Sequence, residues 1–387
     1  MRIVHVITRF IRGGADENTL LTCNGQAERG HDVFLVAGDH HPSMAAALDP
    51  RIRFHHSKRL VRAPNPFLDA AFIAELTALL RKWRPEIVHT HESKAGILGR
   101  FAARIASVPT IVHGVHILPF VGVPRPVSAI YLALEKIAAR TTHAYVDVSA
   151  GMRDLCLDEG LGTRLNHFVV PSGMDIAEYR NADPMPLQEL IGTRPVREDV
   201  VVGLMSGTLE PRKRVAETVE ALAHRGRGGN WLLLIAGAGS QTAEITELID
   251  RLGMSDQIVM LGHREDLSRI MARADICMHA ARNEGLPRVV VQYVLAGKPV
   301  LATYLVGMDR VVQNGHNGTL VSPYDIGGLA DAFIELADDA PQRSAFAAAS
   351  RAADLSAWDR HAMVEAIEQV YLSRRVTPTR MSELINA

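Results

Sequence analysis

Short β-branched runs alternate with longer amphipathic stretches along the whole chain, and this alternation limits the folds open to it. Parallel strands joined by helical crossovers produce such a pattern. Residues 65–84 and 95–105 are predicted helices, and Asn65 followed by Pro66 suits a helix start. Strands are predicted at 3–8, 32–37, 52–55, 87–90, 110–113 and 144–148, and again at 200–206, 231–237, 258–261, 276–280, 299–302 and 318–320. The pattern therefore predicts two doubly wound α/β domains.

The length of the chain supports two domains as well. Its 387 residues exceed the roughly 250 to 300 at which a single core stops growing. The join is predicted within 170–179 and the polar, proline-containing segment 180–199. Residues 1–175 carry 20 Lys and Arg against 16 Asp and Glu, whereas the rest carries 22 against 27, and 12 of the 17 His lie in the first part. The two halves are thus chemically different.

Composition excludes several classes of protein. A net charge of −1 argues against a chain whose main role is to bind nucleic acid. Three widely spaced cysteines without a CxxC pair indicate neither a disulfide framework nor a zinc site and favour a reducing compartment. The start of the chain lacks the features of a secretory signal, and the uncharged stretch 105–124 contains three prolines and two histidines, which argue against a membrane span. We expect a cytoplasmic protein that can lie at the inner face of the membrane.

Three strand-to-helix loops carry candidate ligand-binding residues. Gly13 and Gly14 follow the first strand. The glycines at 236–240 follow a strand of the second half but do not complete GxGxxG, so we interpret that loop as a structural turn and not as one of the three. Residues 207–214 follow another strand and contain three consecutive cations, which can neutralise a diphosphate. The loop at 281–287 opens a helix whose free N–H groups suit an anion. Each loop has a plainer interpretation, as an ordinary tight turn or a solvated basic loop.

Taken together, these segments resemble the retaining glycosyltransferases of the GT-B fold, family 4, over essentially the whole chain. The fold that this implies has two Rossmann-like domains with an interdomain cleft. The matching segments are Gly13 with Gly14, and residues 89–100, 112–120, 173–175, 207–213, 237–239, 261–266, 284–287 and 314–323. The family also has a closing helix that returns to the first domain, which residues from about 357 to 375 resemble. The implied boundaries are 1–175 with this helix for the acceptor-binding domain, and 176–356 for the nucleotide-sugar-binding domain.

The resemblance also assigns roles to individual residues. Glu284 matches the acid that contacts the donor sugar, Lys213 the diphosphate lysine, and His116 the histidine that reaches the donor sugar near the reaction centre. These three are the implied catalytic residues of a hexosyltransferase-type enzyme. The remaining implied donor-binding positions are Gly13, Gly14, Thr208, Arg212, Arg264, Gly285, Leu286, Pro287, Arg288, Val289 and Gln292.

Two positions depart from the family pattern. Thr208 stands where the family has an arginine beside the diphosphate, and Arg212 or Arg214 is the candidate substitute. Gln292 replaces the second glutamate of the E-x7-E pair, although an amide can still bond a ribose hydroxyl. A polar residue among valines could also simply face solvent.

The implied reaction transfers a sugar from a nucleotide-diphosphate sugar to a sugar or lipid-linked sugar, in bacterial polysaccharide, lipopolysaccharide or glycolipid assembly. No cofactor and no metal are expected, and the donor is expected to be a UDP-sugar, with a GDP-sugar as the alternative. His91, Lys94 and Phe120 are candidate acceptor-binding residues. His91 could instead be structural, Lys94 a solvated helix-start residue, and the apolar loop 117–123 a cap on the sheet. The basic first domain favours a peripheral membrane contact with an anionic acceptor.

Three other functions stay open at this stage. A nucleotide-sugar 2-epimerase has the same architecture but a different order of motifs. A dehydrogenase is disfavoured because GxGxxG is missing. A donor-binding protein with degenerate activity is suggested by Thr208 and Gln292.

Overall fold

A computed structural model describes residues 1–11, 13–118, 125–282, 284–285 and 287–374. The chain divides into two compact units, Met1–Met174 together with the chain from Ser356 onward, and Asp175–Leu355. Leu286, Phe120 and residue 375, all named above, lie outside the described residues.

The first unit is built on a seven-stranded parallel sheet with the order β3-β2-β1-β4-β5-β6-β7. Its strands are β1 Arg2–Phe10, β2 Asp32–His40, β3 Arg53–His56, β4 Ile87–His91, β5 Thr110–Val115, β6 Ala144–Asp147 and β7 His167–Val169. Its helices are α1 Gly14–Glu28, α2 Pro42–Ala46, α3 Pro66–Trp83, α4 Ser93–Ile105, α5 Arg125–Ala139 and α6 Ala150–Asp158, and the C-terminal α15 Arg360–Arg374. Helix α15 packs Val364, Ile367 and Tyr371 into the core with Ile3 of β1 and Ile87 of β4.

The second unit is built on a six-stranded parallel sheet with the order β10-β9-β8-β11-β12-β13. Its strands are β8 Val201–Ser206, β9 Trp231–Ala236, β10 Ile258–Gly262, β11 Ile276–His279, β12 Val300–Thr303 and β13 Gly318–Val321. Its helices are α7 Ile176–Arg180, α8 Leu187–Ile191, α9 Val215–Arg225, α10 Thr242–Arg251, α11 Leu267–Arg273, α12 Arg288–Leu295, α13 Ile326–Asp338 and α14 Ala340–Ala352, with 3₁₀ turns at Pro211–Lys213 and Met308–Arg310. The α/β prediction is confirmed by these two parallel sheets.

Local sequence signals account for most of the elements. Helix α3 starts where predicted, because the Asn65 side chain accepts a hydrogen bond from the N–H of Leu68. Strand β7 was not predicted, since three residues at a sheet edge give too short a pattern; it pairs with β6 through Tyr145 and His167.

A close approach of two loops explains the glycines at 237 and 239. A Cβ on Gly237 would lie 1.8 Å from the carbonyl oxygen of Gly207, and one on Gly239 would lie 2.4 Å from that of Leu209. No other residue fits there without moving the loop that follows β8. The glycine loop after β9 therefore supports its neighbour, as its interpretation as a structural turn requires.

Candidate functional site

Two loops of the second unit meet at the carboxyl edge of its sheet, where doubly wound folds bind ligands. The first loop leaves β8 and the second leaves β11, and these strands are neighbours in the sheet. The N–H of Arg282 donates to the carbonyl of Arg212 at 2.9 Å, which ties the loops together. This adjacency brings the cations at 212 and 213 to the acid at 284.

Glu284 is the centre of a charged cluster. Its Oε1 pairs with the Lys213 ammonium and with the Arg212 guanidinium, and its Oε2 lies 3.6 Å from Nε2 of His279. Burial raises the pKa of the Glu284 carboxyl, but the adjacent His279, Lys213 and Arg212 outweigh it and hold that pKa well below its ordinary value. The carboxylate is therefore ionised at neutral pH and holds the two cations in place.

The cluster distinguishes the two cations that are candidates to substitute for the arginine missing at position 208. Arg212 contacts both Glu284 and Glu210, the latter at 2.9 Å. Arg214 instead donates to the carbonyl of Pro323, on the far loop after β13. Of the two candidate substitutes, Arg212 is the one beside Lys213 and Glu284, while Thr208 lines a small cavity next to Lys213.

His279 is a member of this cluster that the sequence interpretation did not single out. It is the last residue of β11 and is 3% exposed. It lines the same cavity as Thr208 and Lys213. Burial lowers its pKa in spite of the neighbouring Glu284 carboxylate. The feature of the sequence that could have identified His279 is its position at the carboxyl end of a predicted strand, five residues before Glu284.

The start of α12 carries the next group of candidates. Gly285 and Pro287 are buried, Arg288 and Val289 are partly buried, and the N-cap residue Pro287 makes no side-chain hydrogen bond to the first turn of the helix. The N–H groups of that turn are suited to an anion. Gln292 is 8% exposed and donates from Nε2 to the Tyr179 hydroxyl at 2.8 Å. The interpretation of Gln292 as a solvent-facing residue is therefore wrong.

Arg264 lies in the loop that follows β10. Its guanidinium contacts both carboxylate oxygens of Asp266, at 2.8 and 2.6 Å. This ion pair holds the side chain, so a role in binding the nucleotide base would fall to the backbone.

In the first unit, α1 starts at Gly14, and the N–H of Glu17 donates to the Gly13 carbonyl. Gly13 is extended, and a Cβ there would lie 3.1 Å from a carboxylate oxygen of Asp16. Asp16 is 5% exposed. Burial, and next the charge of Glu92, raise the pKa of Asp16 to about 8. Burial also raises the pKa of Glu92, which has the rare backbone angles φ 60° and ψ 176°.

The Asp16 carboxyl predicts a pH dependence of stability. Its pKa rises from 3.8 in the unfolded chain to about 8 in the folded one, so between these values only the folded state holds the proton. The free energy of unfolding should therefore fall as pH rises from 5 to 8, by at most about 1.4 kcal/mol per pH unit for one proton. Asp16→Asn should reduce this slope and stabilise the protein at pH 8. Urea unfolding of both proteins at several pH values measures how the free energy of unfolding depends on pH. Equal slopes for the two proteins would refute the raised pKa of Asp16.

Histidines gather at the carboxyl ends of β4 and β5. His116 follows β5, and its Nε2 lies 3.1 Å from Nδ1 of His91, the last residue of β4. His91 is 1% exposed, and its Nε2 lies 2.9 Å from Nδ1 of His5. Both ring nitrogens of His91 thus face other histidines, which favours the structural alternative over acceptor binding for this residue.

Lys94 is not a solvated helix-start residue. Its ammonium donates to the carbonyl of Ala63 at 2.5 Å and lies 2.7 Å from the Asp69 carboxylate. Its side chain is 14% exposed. Lys94 therefore joins the start of α4 to the start of α3.

Within the described residues, one group of three histidines is close enough together to be considered as a metal site. One nitrogen from each of His5, His89 and His91 lies within 4.8 Å of the others. The 2.9 Å separation of His5 Nδ1 and His91 Nε2 suits a hydrogen bond, since two nitrogens bound at about 2.0 to 2.1 Å to a tetrahedral ion lie further apart. His89 donates to or accepts from the Tyr371 hydroxyl at 2.7 Å.

Comparisons with known proteins identify the class. The family described as glycosyl transferases group 1 matches residues 189–353, and the glycosyl transferase 4-like domain matches residues 13–173. A solved structure of Anabaena Alr3699/HepE in complex with UDP has a TM-score of 0.80 at 22% identity, covering 96% of this chain and 100% of that one. Fold and matches together define a glycosyltransferase of the GT-B class.

Curated relatives agree with this class. The chain is 26% identical over 345 residues, 88% of each protein, to an Escherichia coli UDP-Gal:alpha-D-GlcNAc-diphosphoundecaprenol alpha-1,3-galactosyltransferase. It is 25% identical over 280 residues, 70% of this chain and 72% of the relative, to the Bacillus subtilis protein named putative glycosyltransferase EpsD. The chain belongs to the family 4-like GT-B glycosyltransferases and uses a nucleotide sugar. Among the described residues, no helix combines the length and apolar character needed to cross a bilayer.

Proposed function

We propose that this enzyme is a retaining hexosyltransferase that moves a sugar from a UDP-sugar to a hydroxyl of a sugar or lipid-linked sugar during bacterial polysaccharide, lipopolysaccharide or glycolipid assembly. The observation that carries the donor site is the Glu284 cluster with Lys213 and Arg212 beside the uncapped start of α12. The choice of UDP is supported by the UDP-Gal relative and by a fold neighbour solved with UDP-glucose, at 23% identity and a TM-score of 0.80. A GDP-sugar is the alternative donor.

The donor is held by charges and backbone groups in this proposal. The diphosphate binds Lys213 and Arg212 and backbone N–H groups of the segment from Gly285 to Val289, in which Pro287 offers none, while Glu284 contacts sugar hydroxyls. Cations and N–H groups stabilise the leaving diphosphate most where its charge develops, as the bond to the sugar breaks. The family resemblance implies attack from the face that the leaving group occupied, with the acceptor proton passing to a phosphate oxygen. No metal is part of this mechanism.

His116 and the loop after β1 complete the proposed site. His116 contacts the donor sugar, and Gly14 lies beside the diphosphate. The acceptor binds to the first unit, where residues 117–123 are the proposed lining. Phe120 belongs to that stretch. Lys94 contributes to the proposed acceptor site indirectly, because its contacts fix the start of α4.

The test starts with donor binding. A ligand that binds only the folded state raises its melting temperature, so UDP and UDP-hexoses should raise Tm more than GDP-, ADP- or dTDP-sugars. NMR of the product then shows whether the anomeric configuration of the donor is retained. Inverted configuration would refute the retaining mechanism, and conversion of the donor sugar without an acceptor would indicate an epimerase instead.

Gln292 offers a test of nucleotide recognition. Gln292→Glu restores the acid of the family pattern, and the Tyr179 hydroxyl, which accepts from the Gln292 amide, can instead donate its proton to a carboxylate. Hydrogen bonds to a charged acceptor are stronger than neutral ones, so the Kd for UDP should fall by up to about tenfold. Isothermal titration measures this, with Gln292→Leu as the control that should weaken binding. Weaker binding of UDP by Gln292→Glu would show that the amide is required.

Helix α5 supports the proposed peripheral contact with the membrane. Four of its apolar side chains, at helical spacing along one face, are 37 to 62% exposed: Val127, Ile130, Leu134 and Ile137. Arg125, Lys136 and Arg140 add positive charge to the same helix and its end. Such a helix suits the surface of a bilayer with anionic lipids. The proposed contact is with the lipid surface itself.

Flotation with vesicles of phosphatidylglycerol and phosphatidylethanolamine tests this contact. The double variant Ile130→Glu with Leu134→Glu should abolish most vesicle binding. The substitutions remove two apolar side chains from the exposed face of α5, and the new negative charges are repelled by anionic lipid. Leu165→Glu is the control, since Leu165 is 83% exposed in the same unit but outside α5. Equal flotation of all three proteins would rule out α5 as the contact.

A further inference from the structure

A continuous line of hydrogen bonds leads from α1 to His116. Oε1 of Gln26 lies 2.8 Å from Nε2 of His5. Nδ1 of His5 lies 2.9 Å from Nε2 of His91, and Nδ1 of His91 lies 3.1 Å from Nε2 of His116. Every ring nitrogen between the Gln26 amide and Nε2 of His116 is used once. We call these four residues the histidine line.

The parallel sheet brings the histidine line together. His5 on β1 is in register with His89 on β4, and His91 on β4 is in register with Gly114 on β5. A Cβ at Gly114 would lie 3.1 Å from Nδ1 of His91 and 3.2 Å from Nε2 of His116. The glycine therefore leaves room for these two rings to meet.

Because the buried imidazoles are neutral, the direction of donation in each hydrogen bond of the histidine line can be assigned. Burial lowers the pKa of His5 to about 4 and that of His91 well below its ordinary value. A neutral imidazole has one N–H and one lone pair. The amide oxygen of Gln26 can only accept, while its Nε2 donates to the Tyr371 hydroxyl at 3.3 Å. His5 must then donate from Nε2 and accept at Nδ1.

The donor and acceptor nitrogens of His91 and His116 follow from those of His5. His91 donates from Nε2 to His5 and accepts at Nδ1, so His116 donates from Nε2 to His91. When His116 is neutral, its Nδ1 carries the lone pair and acts as an acceptor. That is the form suited to accept a hydrogen bond from a sugar hydroxyl.

We propose that Gln26 and His5 are positioning residues, which act through His91 to fix the tautomer and orientation of His116. This inference rests on the proposed function, because it takes His116 as the residue that contacts the donor sugar. Partners that orient a functional histidine through its other nitrogen commonly contribute about 10- to 100-fold to activity in metal sites, and the same hydrogen-bond logic applies here. His5 and Gln26 are both fully buried, so neither contacts a substrate.

The proposal is tested by replacing Gln26, the residue at the buried end of the histidine line. Gln26→Leu removes the acceptor with little change in volume, so His5 is free to adopt either tautomer. We expect kcat to fall about 10- to 100-fold, with the KM for the UDP-sugar nearly unchanged, because the proposed cationic contacts to the diphosphate, Lys213 and Arg212, lie in the second unit. Thr22→Val is the matched control: Thr22 is also buried on α1, and among the described residues its hydroxyl donates to the Asn18 carbonyl and, weakly, to the Met363 sulfur.

Nitrogen NMR of labelled histidines gives a readout that does not need activity. Wild-type His116 should carry its proton on Nε2, and Gln26→Leu should give a mixture of tautomers or a shift to Nδ1. Gln26→Glu keeps an acceptor at this place and should restore both the tautomer and most of kcat.

Two results would overturn the proposal. One is a proton on Nδ1 of His116 in the wild-type protein, which would mean that the line runs in the opposite direction. The other is a folded Gln26→Leu protein with unchanged tautomer and unchanged kcat. If the wild-type protein transfers no sugar to any acceptor, the proposed function fails. The NMR experiment still shows whether Gln26 and His5 fix the tautomer of His116.

Discussion

Lys213→Ala is expected to lower kcat for sugar transfer by about 100- to 1,000-fold, the usual effect of removing one group that stabilises a developing anion. The Lys213 ammonium pairs with Glu284 and is 13% exposed, so it is already held where the diphosphate would bind. Because the charge on the diphosphate grows as the sugar bond breaks, kcat should fall more than the affinity for the donor. Steady-state kinetics with a UDP-sugar measure both quantities.

The fold should survive this change. Glu284 keeps its pairing with Arg212, so no buried carboxylate is left without a cation. Lys82→Ala is the control, since Lys82 is an exposed lysine on α3. A Lys213→Ala enzyme that keeps wild-type kcat would show that the diphosphate binds elsewhere.

The second large effect concerns stability. Arg100 of α4 is fully buried and pairs with Glu135 of α5, whose side chain is 5% exposed. Its guanidinium also donates to the Gly96 carbonyl at 2.8 Å and to the Thr142 hydroxyl at 3.1 Å. Arg100→Met leaves the Glu135 charge buried and unpaired, which costs about 3 to 5 kcal/mol. The first unit should then melt roughly 6 to 20 °C lower, at about 2 to 4 °C per kcal/mol for a unit of this size.

Differential scanning calorimetry measures this effect and separates its two causes. The double variant Arg100→Met with Glu135→Leu removes both charges, so it should recover much of the lost stability. If the double variant is no more stable than the single one, the loss comes from packing and the hydrogen bonds of Arg100, and not from the unpaired carboxylate.

The sequence identified the residues of the proposed donor site but not their arrangement. The motif around Glu284 and the lysine at 213 could be found by pattern, since each lies in one short segment. That Arg212, and not Arg214, stands beside them could not, because both are cations in the same turn. The left-handed backbone of Arg214, φ 57°, and the position of Pro323 decide where each side chain points.

The histidine line and the acids of the first unit were less accessible to sequence reasoning. His5 lies in an apolar strand and Gln26 in a helix with polar residues on its buried side. A lone polar residue in such a run does not reveal its partner. Asp16 follows β1 and Glu92 follows β4, with β2 and β3 between them along the chain. Glu92 raises the pKa of Asp16 because β1 and β4 are neighbours in the sheet.

By itself, the sequence determined the α/β class, nearly all of the strands and the loops that carry the candidate ligand-binding residues, because hydrophobic period, caps and glycines are local properties. Only the tertiary structure decided which of these residues meet. Neighbouring positions in a parallel sheet belong to strands that are far apart in sequence: β8 lies beside β11, and β1 lies between β2 and β4. The pairing of Glu284 with Lys213, the burial of Arg100 and the order of the four residues from Gln26 to His116 all depend on that arrangement.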